Sequence, residues 1–317
     1  MTSPEYFELI SGDKIPAIGY GSGTAWARSK PQVGTPIYDT LVTAMVDAVK
    51  AGFRHLDTAE MYDTHPEVGA AIALILKEGI VKREDLWVTD KFHCGFETGY
   101  IPRTSGPYES LKLGLSTMKL DYVDLYLLHS ELVLLPGENL ASYWAQMEKL
   151  KSEGLAKNIG ISNFSSEKLN ELYELATIKP SVLQIEYQAY LQNQSPGVVQ
   201  FAKEKKMVVE AYGPLNPLTK AKGGPLDDLV EKLSVKYGRS NTLILLRWVY
   251  QTGVLPLTTT TKVERMEDVL QIFDFSLDEE DMRLITETGK GHFFRGSIPH
   301  IFGKYDEELK KSLGLSE

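Results

Sequence analysis

Residues 122–129 read Tyr122-Val123-Asp124-Leu125-Tyr126-Leu127-Leu128-His129, an almost continuous apolar run that ends in a histidine. Strands that are buried on both faces have this composition, and they are typical of parallel sheets covered by helices. Leu125, Leu127 and His129 fall on one face of the run because side chains alternate along a strand. The segment therefore predicts a central strand of an α/β fold with a histidine at its C-terminal end.

The sequence on both sides of this segment alternates between short apolar runs and amphipathic segments of helical length. Eight such repeats in about 300 residues favour a (β/α)8 TIM barrel over an open doubly wound sheet. We expect an N-terminal β-hairpin cap, extra helices and a C-terminal loop around it. Thr35 and Pro36 predict the start of the first barrel helix. No linker-like stretch divides the chain, so residues 1–317 are predicted to form a single domain. The predicted strands are residues 15–20, 53–57, 86–89, 122–128, 158–161, 182–186, 207–211 and 254–259.

The composition is that of a globular protein, because 43% of the 317 residues are hydrophobic and 24% are charged. The net charge of −9 argues against nucleic-acid and anionic-membrane partners, which require a basic surface. The single cysteine, Cys94, excludes an internal disulfide and a metal site built from several cysteines. The sequence does not open on a basic and apolar leader. We therefore expect a cytoplasmic protein without a metal.

Three of the predicted strands end close to an ionisable side chain, namely Asp57, Lys91 and His129. Tyr62 follows Asp57 by five residues. In a (β/α)8 barrel the C-terminal ends of the strands surround the active site. We therefore predict that these four side chains meet there. Taken singly, each residue also has a purely structural interpretation. Asp57 could cap a loop and Lys91 could be a solvated lysine. His129 could be a core histidine, and Tyr62 could be a surface tyrosine.

Residues 52–62 read GFRHLDTAEMY, residues 115–129 read LSTMKLDYVDLYLLH, and residues 160–164 read GISNF, followed by QIE at 184–186. In sequence and in spacing these motifs resemble the aldo-keto reductase family, over roughly residues 6–290. The resemblance implies a barrel that binds a nicotinamide dinucleotide without a Rossmann domain. It also implies reversible reduction of an aldehyde or ketone to an alcohol.

The resemblance implies that Asp57, Tyr62, Lys91 and His129 are the catalytic residues, and the chemistry agrees. Hydride delivered to a carbonyl carbon leaves an oxygen that must be protonated, and Tyr62 is the expected acid. Its ordinary pKa is about 10, which a nearby ammonium such as Lys91 lowers. Asp57 is expected to hold Lys91, and His129 to polarise the carbonyl oxygen.

The resemblance also implies a set of cofactor contacts. Ser162, Asn163 and Gln184 match positions that bind the nicotinamide carboxamide, and Tyr212 matches the aromatic residue that stacks on the ring. Asp57 belongs to this set as well. Further contacts are expected from two loops, which contribute Gly23, Thr24, Gly213 and Leu215.

The adenosine end of the cofactor site is expected after the last strand, where residues 256–265 read PLTTTTKVER. Lys262 and Arg265 at the start of a helix, with hydroxyls before them, are a combination that binds phosphate. This favours NADPH over NADH, whose ribose lacks the 2′-phosphate. Asp268 matches a carboxylate that contacts adenine. The alternative to a phosphate site is that residues 258–261 are only the end of a strand and that Lys262 and Asp268 lie on a solvated helix. The hydroxyls belong to Thr258, Thr259, Thr260 and Thr261.

The threonine-rich stretch, the residues Tyr62-Asp63-Thr64 and the sequence LQNQ at 191–194 resemble one fungal subgroup of the family. That subgroup contains conjugated polyketone reductases, which act on ketopantoyl lactone, and α-keto amide or ester reductases. Its substrates carry two adjacent carbonyls. Trp26, Phe92, Tyr62 and His129 are the predicted substrate contacts.

Other functions remain open at this stage. The chain could be a general aldehyde reductase or a xylose-type sugar reductase, although the usual lysine at position 257 is replaced by Leu257. A nicotinamide-binding regulatory subunit docked on a membrane channel is an alternative from another class. The expected partner is a small carbonyl compound, and the expected state is a monomer or a weak homodimer.

Overall fold

Eight parallel strands close into a barrel in the computed structural model, which describes residues 5–23, 26–27, 37–93, 104–133, 135 and 137–315. The strands are β1 Tyr6–Glu8, β2 Lys14–Pro16, β3 Gly19–Gly21, β4 His55–Asp57, β5 Trp87–Phe92, β6 Val123–Leu128, β7 Ala156–Ser162, β8 Val182–Glu186, β9 Val208–Tyr212 and β10 Val254–Thr258. The barrel runs from β3 to β10 in chain order, and β10 closes it by pairing with β3. The predicted (β/α)8 barrel is therefore confirmed.

Helices connect the successive barrel strands, and further helices follow the last strand. They are α1 Asp39–Ala51, α2 His65–Lys77, α3 Pro107–Met118, α4 Leu140–Ser152, α5 Ser166–Leu175, α6 Val198–Glu204, α7 Asn216–Thr219, α8 Leu226–Tyr237, α9 Asn241–Gln251, α10 Val263–Leu270, α11 Glu279–Lys290, α12 Pro299–Phe302 and α13 Asp306–Ser312. The first of them begins at Asp39, after Tyr38. Thr35 and Pro36, which were predicted to begin it, lie outside the described residues.

The predicted first strand, residues 15–20, is wrong as one element, because the structure divides it in two. β2 pairs antiparallel with β1 to form a hairpin, whereas β3 belongs to the barrel. The last hydrogen bond of the hairpin runs from the amide of Ala17 to the carbonyl oxygen of Glu5, at 2.8 Å. The chain then enters the barrel at Gly19.

Two apolar layers result from the alternation of side chains along the strands. Leu125 and Leu127 of β6 point into the barrel, where they pack with the hairpin residues Leu9 and Ile15. Tyr126, which lies between them, belongs to the larger core between the barrel and the helices. The hairpin therefore closes one end of the barrel, and the C-terminal ends of the strands form the other, which we call the C-terminal rim.

Within the described residues, no helix is long and apolar enough to cross a membrane. The same part of the chain contains no group of three or more His, Cys, Asp or Glu residues placed to hold a metal ion.

The crossing of α2 and α3 gives a test of the packing. A Cβ added at Gly69 of α2 would lie 2.6 Å from the carbonyl oxygen of Met118 in α3, and that backbone atom cannot move aside cheaply. We expect Gly69→Ala to lower the free energy of unfolding by about 1–3 kcal/mol, although helix propensity alone would raise it by about 1 kcal/mol. Urea denaturation measures this change.

The exposed Ala73 on the same helix provides the control. Ala73→Gly reports helix propensity without a contact to α3, and should lower the free energy of unfolding by about 0.5–1 kcal/mol. A Gly69→Ala variant more stable than the natural protein would contradict the close helix crossing.

Candidate active site

Four polar side chains converge at the C-terminal rim. Asp57 ends β4, Lys91 lies near the end of β5, and His129 directly follows β6. Tyr62 ends a short 3-10 turn, Glu60–Tyr62, that follows β4. The structure therefore brings together the four residues that the sequence predicts to meet, and each comes from the expected strand or loop.

Lys91 is the centre of this cluster and is fully buried. Its Nζ donates hydrogen bonds to Asp57 Oδ1 at 2.7 Å and to the carbonyl oxygen of Thr58 at 2.9 Å. Burial by itself lowers the pKa of Lys91, but Asp57, followed by Tyr62, more than offsets this effect and raises the pKa above its ordinary value. The side chain is therefore a charged ammonium at neutral pH.

The hydroxyl of Tyr62 lies between the lysine and the histidine. It is 3.4 Å from Lys91 Nζ and 3.4 Å from His129 Nε2. The rings of Tyr62 and His129 meet edge to face with their centroids 5.5 Å apart. Gly23 lies against the Tyr62 ring, and a Cβ at this position would come within 2.6 Å of two ring atoms. Only glycine therefore fits at position 23 with the tyrosine in place.

The protonation of Tyr62 follows from two opposing effects. Burial raises the pKa of Tyr62 above its ordinary value, and the charge of Lys91 acts in the opposite direction. The sequence-based expectation for the effect of Lys91 has the correct sign, but the net direction is upward because desolvation is the larger effect. Tyr62 is therefore a neutral phenol, and thus an O–H donor, at neutral pH.

His129 is buried beside Tyr62 and carries no charge at neutral pH. Burial, together with the charge of Lys91, lowers the pKa of His129 well below its ordinary value. Its backbone carbonyl accepts a hydrogen bond from Asn163 Nδ2 at 2.9 Å, which connects the loop after β6 to the end of β7. A neutral imidazole in this position can donate one hydrogen bond without giving up its proton.

His93 is a residue of this site that the sequence analysis did not single out. Its ring lies 6.3 Å from the ring of His129, centroid to centroid. Burial lowers the pKa of His93 to about 4, so this imidazole is also neutral. The alternation along β5 was the available signal, because Lys91 and His93 are two residues apart and fall on the same face.

The residues predicted to contact the nicotinamide carboxamide lie beside this cluster. Asn163 has a φ of 56°, a left-handed conformation that asparagine adopts more readily than most residues. Its Oδ1 accepts a hydrogen bond from the Tyr212 hydroxyl at 2.8 Å, and its Nδ2 donates to Ser162 Oγ at 3.1 Å. Gln184 Nε2 donates to Asp57 Oδ2 at 2.9 Å. The predicted carboxamide site and the Lys91 ion pair therefore share one carboxylate.

Gln194, from the subgroup sequence LQNQ, also belongs to this group. Its Nε2 donates to Asn163 Oδ1 at 3.0 Å and to the Tyr212 hydroxyl at 3.3 Å. The side chain is fully buried. The subgroup motif therefore reaches the site, although the sequence alone assigned no role to Gln194.

The loop after β9 approaches the same end of the barrel. Gly213 has a φ of 65°, and a Cβ there would lie 2.8 Å from Asn216 Nδ2. Leu215 is half-buried and directly precedes α7. The two predicted contacts of this loop therefore stand next to the predicted stacking residue, Tyr212.

The threonine-rich stretch after β10 is held against β3. The Tyr20 hydroxyl donates to the carbonyl oxygen of Thr260 at 2.7 Å, and Trp26 Nε1 donates to Thr259 Oγ1 at 2.9 Å. Thr258 ends β10 and is half-buried, whereas Thr261 is exposed. The two aromatic residues thus fix the backbone that leads into α10.

Lys262 and Arg265 are exposed at the start of α10, and neither forms an ion pair with another described residue. The backbone amide of Lys262 donates to Thr260 Oγ1 at 3.2 Å. Asp268 is half-buried farther along α10, and its Oδ2 accepts a hydrogen bond from Ser240 Oγ at 2.9 Å. Two uncommitted cations and several hydroxyls at a helix N-terminus fit the chemistry of a phosphate group.

Two predicted substrate contacts have other surroundings. Phe92 is fully buried, faces away from Lys91 on β5, and packs on Tyr143 of α4 with ring centroids 5.2 Å apart. Its prediction as a substrate contact is therefore wrong, because the alternation along β5 turns it toward the helices. The indole of Trp26 is buried and directed to Thr259. Thr24 and Cys94 lie outside the described residues.

Comparison with known proteins agrees with this geometry. The sequence model of the family described as "Aldo/keto reductase family" matches residues 17–290. The NADPH-dependent alpha-keto amide reductase of Saccharomyces cerevisiae is 41% identical over 316 residues, which cover 97% of this chain and 98% of that protein. The NAD/NADP-dependent indole-3-acetaldehyde reductase of Schizosaccharomyces pombe is 37% identical over 292 residues, which cover 92% and 97%.

Solved structures give the same result for the fold. An aldo-keto reductase of the silkworm Bombyx mori in complex with NADP superposes with a TM-score of 0.78 at 27% identity, covering 91% of this chain and 94% of that one. A second silkworm aldo-keto reductase gives a TM-score of 0.81 at 29% identity, covering 96% and 93%. The motifs, the barrel, the converging side chains and these similarities agree, and the chain belongs to the aldo/keto reductase family.

Proposed function

We propose that this protein is an NADPH-dependent carbonyl reductase whose preferred substrates carry two adjacent carbonyl groups. The observation that supports the reaction most directly is the position of the Tyr62 hydroxyl, 3.4 Å from both Lys91 Nζ and His129 Nε2. A phenol between an ammonium and a neutral imidazole is arranged to give a proton to an oxygen that gains negative charge.

Each residue of the cluster has one task in this proposal. The reduced nicotinamide, when bound, supplies a hydride to the carbonyl carbon. The hydroxyl of Tyr62 donates its proton to the carbonyl oxygen, and the charge of Lys91 stabilises the phenolate that remains. His129 donates a hydrogen bond from Nε2 to the same oxygen and polarises the carbonyl. Asp57 holds the Lys91 ammonium in place through the 2.7 Å contact.

The raised pKa of Tyr62 suits the reduction of a carbonyl group. An acid must hold its proton before the reaction, and burial keeps the phenol protonated at neutral pH. Alcohol oxidation requires the phenolate instead, so it is expected to become faster as the pH rises toward the pKa of Tyr62. Lys91 lowers the cost of forming the phenolate in both directions.

The cofactor contacts follow from the same geometry. Ser162, Asn163 and Gln184 would hold the carboxamide, with Tyr212 against the ring. Gly23 would contact the cofactor through its backbone, and a side chain at this position would displace Tyr62. Lys262 and Arg265 would bind the 2′-phosphate of NADPH, with the hydroxyls of residues 258–261 around it, and Asp268 would contact adenine.

The preference for two adjacent carbonyls rests on similarity and on reactivity. The S. cerevisiae relative is an α-keto amide reductase, and the subgroup residue Gln194 is hydrogen-bonded to Tyr212 and Asn163 in this chain. A second carbonyl withdraws electrons from the first and makes it a better hydride acceptor. Conjugated polyketones, ketopantoyl lactone and α-keto esters or amides share this feature.

A substrate panel tests the proposed function. We expect kcat/KM with NADPH to be about tenfold or more higher for butane-2,3-dione than for butan-2-one, a difference of roughly 1.4 kcal/mol in the barrier. The two compounds differ by one carbonyl oxygen on the same carbon skeleton, so they are a matched pair. Hexanal and xylose complete the panel. Equal rates for the pair, or turnover of xylose alone, would contradict the proposed substrate class.

Removal of the two cations tests the cofactor preference. We expect Lys262→Ala with Arg265→Ala to weaken NADPH binding by about tenfold or more, because charge-assisted hydrogen bonds to the 2′-phosphate are lost. NADH binding should change little, since its ribose carries no phosphate. Quenching of protein fluorescence measures both dissociation constants.

Lys232, an exposed lysine on α8, provides the matched control. Lys232→Ala removes one positive charge from the surface without touching α10, and should leave both affinities unchanged. Equal losses of NADPH and NADH affinity in the double variant would overturn the assignment of Lys262 and Arg265.

A further inference from the structure

Glu210 is a buried carboxyl next to the predicted nicotinamide site that none of the proposed roles uses. It lies in β9 between Gln184 of β8 and Leu255 of β10 in the barrel register. The residue is completely buried. Its Oε2 accepts a hydrogen bond from Gln184 Nε2 at 2.6 Å, and its Oε1 has no hydrogen-bond partner among the described residues.

Gln184 connects this carboxyl to the catalytic cluster. Its Nε2 donates both to Glu210 Oε2 and to Asp57 Oδ2. A primary amide nitrogen carries two hydrogens, so each can serve one carboxyl group. This arrangement fixes the orientation of the Gln184 amide, because a carbonyl oxygen turned toward the Asp57 carboxylate, which is paired with Lys91, would face another acceptor. Glu210 is thus one hydrogen bond away from a predicted carboxamide contact.

The charges that face Glu210 come from β4 and β5, which are not paired with β9 but lie across the barrel from it. Asp57 of β4 repels a negative charge on Glu210, and Lys91 of β5 attracts one. On the two strands that pair with β9, the residues opposite Glu210 are Gln184, which donates a hydrogen bond to it, and the apolar Leu255. Burial, followed by the charge of Asp57, raises the pKa of Glu210 to about 8. The carboxyl therefore holds a proton at neutral pH and loses it under mildly alkaline conditions.

We propose that Glu210 is a positioning residue that couples a proton to the oxidation state of the bound nicotinamide. The proposal rests on the proposed function, since it requires NADPH and NADP+ to bind at Gln184. The oxidised ring carries a positive charge and the reduced ring does not. An ionised Glu210 therefore raises the affinity for NADP+ relative to that for NADPH, whereas a protonated Glu210 does not.

The coupling is reciprocal, as linked equilibria require. Binding of NADP+ favours the ionised form of Glu210, so a proton moves from its carboxyl group to the solvent. No bond of the cofactor changes in this step. Binding of NADPH has no such effect. As the pH rises through the titration of Glu210, affinity for NADP+ therefore increases relative to affinity for NADPH.

Cofactor titrations of the complete protein at several pH values test this proposal without any substrate. The dissociation constants of NADP+ and NADPH are measured from pH 6.5 to 9.5 for the natural protein and for Glu210→Gln. We expect the ratio of the NADP+ constant to the NADPH constant to fall by about fivefold or more in the natural protein. The ratio should stay nearly constant in Glu210→Gln. Ionisation of the 2′-phosphate cancels, because both cofactors carry it.

Two further variants separate Glu210 from its neighbours. Tyr62→Phe removes the phenol of the catalytic cluster and should keep the pH dependence of the ratio. Glu186→Gln alters another buried glutamate, whose Oε1 accepts from the backbone amide of Gly296 at 2.8 Å and which has no hydrogen bond to Gln184 among the described residues. It should also keep the pH dependence.

The outcomes are distinct. A ratio independent of pH in the natural protein, an unchanged slope in Glu210→Gln, or an equal loss of slope in Glu186→Gln would overturn the role of Glu210. Failure to bind either cofactor at any pH would overturn the proposed function itself. Proton release on NADP+ binding at pH 8, measured with an indicator dye in weak buffer, should occur in the natural protein and be absent in Glu210→Gln.

Discussion

The buried ion pair between Lys91 and Asp57 is the contact on which the site depends. A lysine that is fully buried requires a partner, and removal of one member of a buried pair commonly costs about 3–5 kcal/mol. Two of the hydrogen bonds of Nζ go to Asp57 and to the carbonyl oxygen of Thr58, and the remaining contact is with the Tyr62 hydroxyl. Since Asp57 and Lys91 lie on adjacent parallel strands, the register of the barrel sets this geometry.

The other oxygen of Asp57 extends the same network in the opposite direction. It accepts from Gln184, which in turn contacts Glu210, so polar contacts run without a break from His129 and Tyr62 to the inside of β9. One carboxylate thus serves both the lysine behind the proposed acid and the amide that is proposed to hold the cofactor. A change of charge in this network would act on the groups that line the proposed nicotinamide site.

The alternation of side chains explains both the success and the limits of prediction from sequence. It places Leu127 and His129 on one face of β6, as expected, and the four catalytic candidates then meet at the C-terminal rim. Applied to β5, the same rule turns Phe92 toward the helices and His93 toward the site. The sequence analysis nevertheless selected Phe92 as a substrate contact because it is aromatic. The division of residues 15–20 between hairpin and barrel depends on tertiary pairing, which no local pattern reports.

Electrostatic balance was the least predictable feature. The sequence places an ammonium near Tyr62, but the net rise of the Tyr62 pKa comes from burial, which requires coordinates. The same holds for Glu210, because its meeting with Asp57 through Gln184 joins residues more than a hundred positions apart in the chain.

The reaction proposed for this site requires Tyr62 as the proton donor, and pre-steady-state hydride transfer in a Tyr62→Phe variant measures this requirement. We expect this variant to bind NADPH nearly as well as the natural protein but to reduce a dicarbonyl about 100-fold more slowly or worse, because a general acid is lost. Tyr126→Phe, which removes a buried hydroxyl outside the site, is the control and should react normally. Hydride transfer at the natural rate in Tyr62→Phe would show that Tyr62 is not the proton donor.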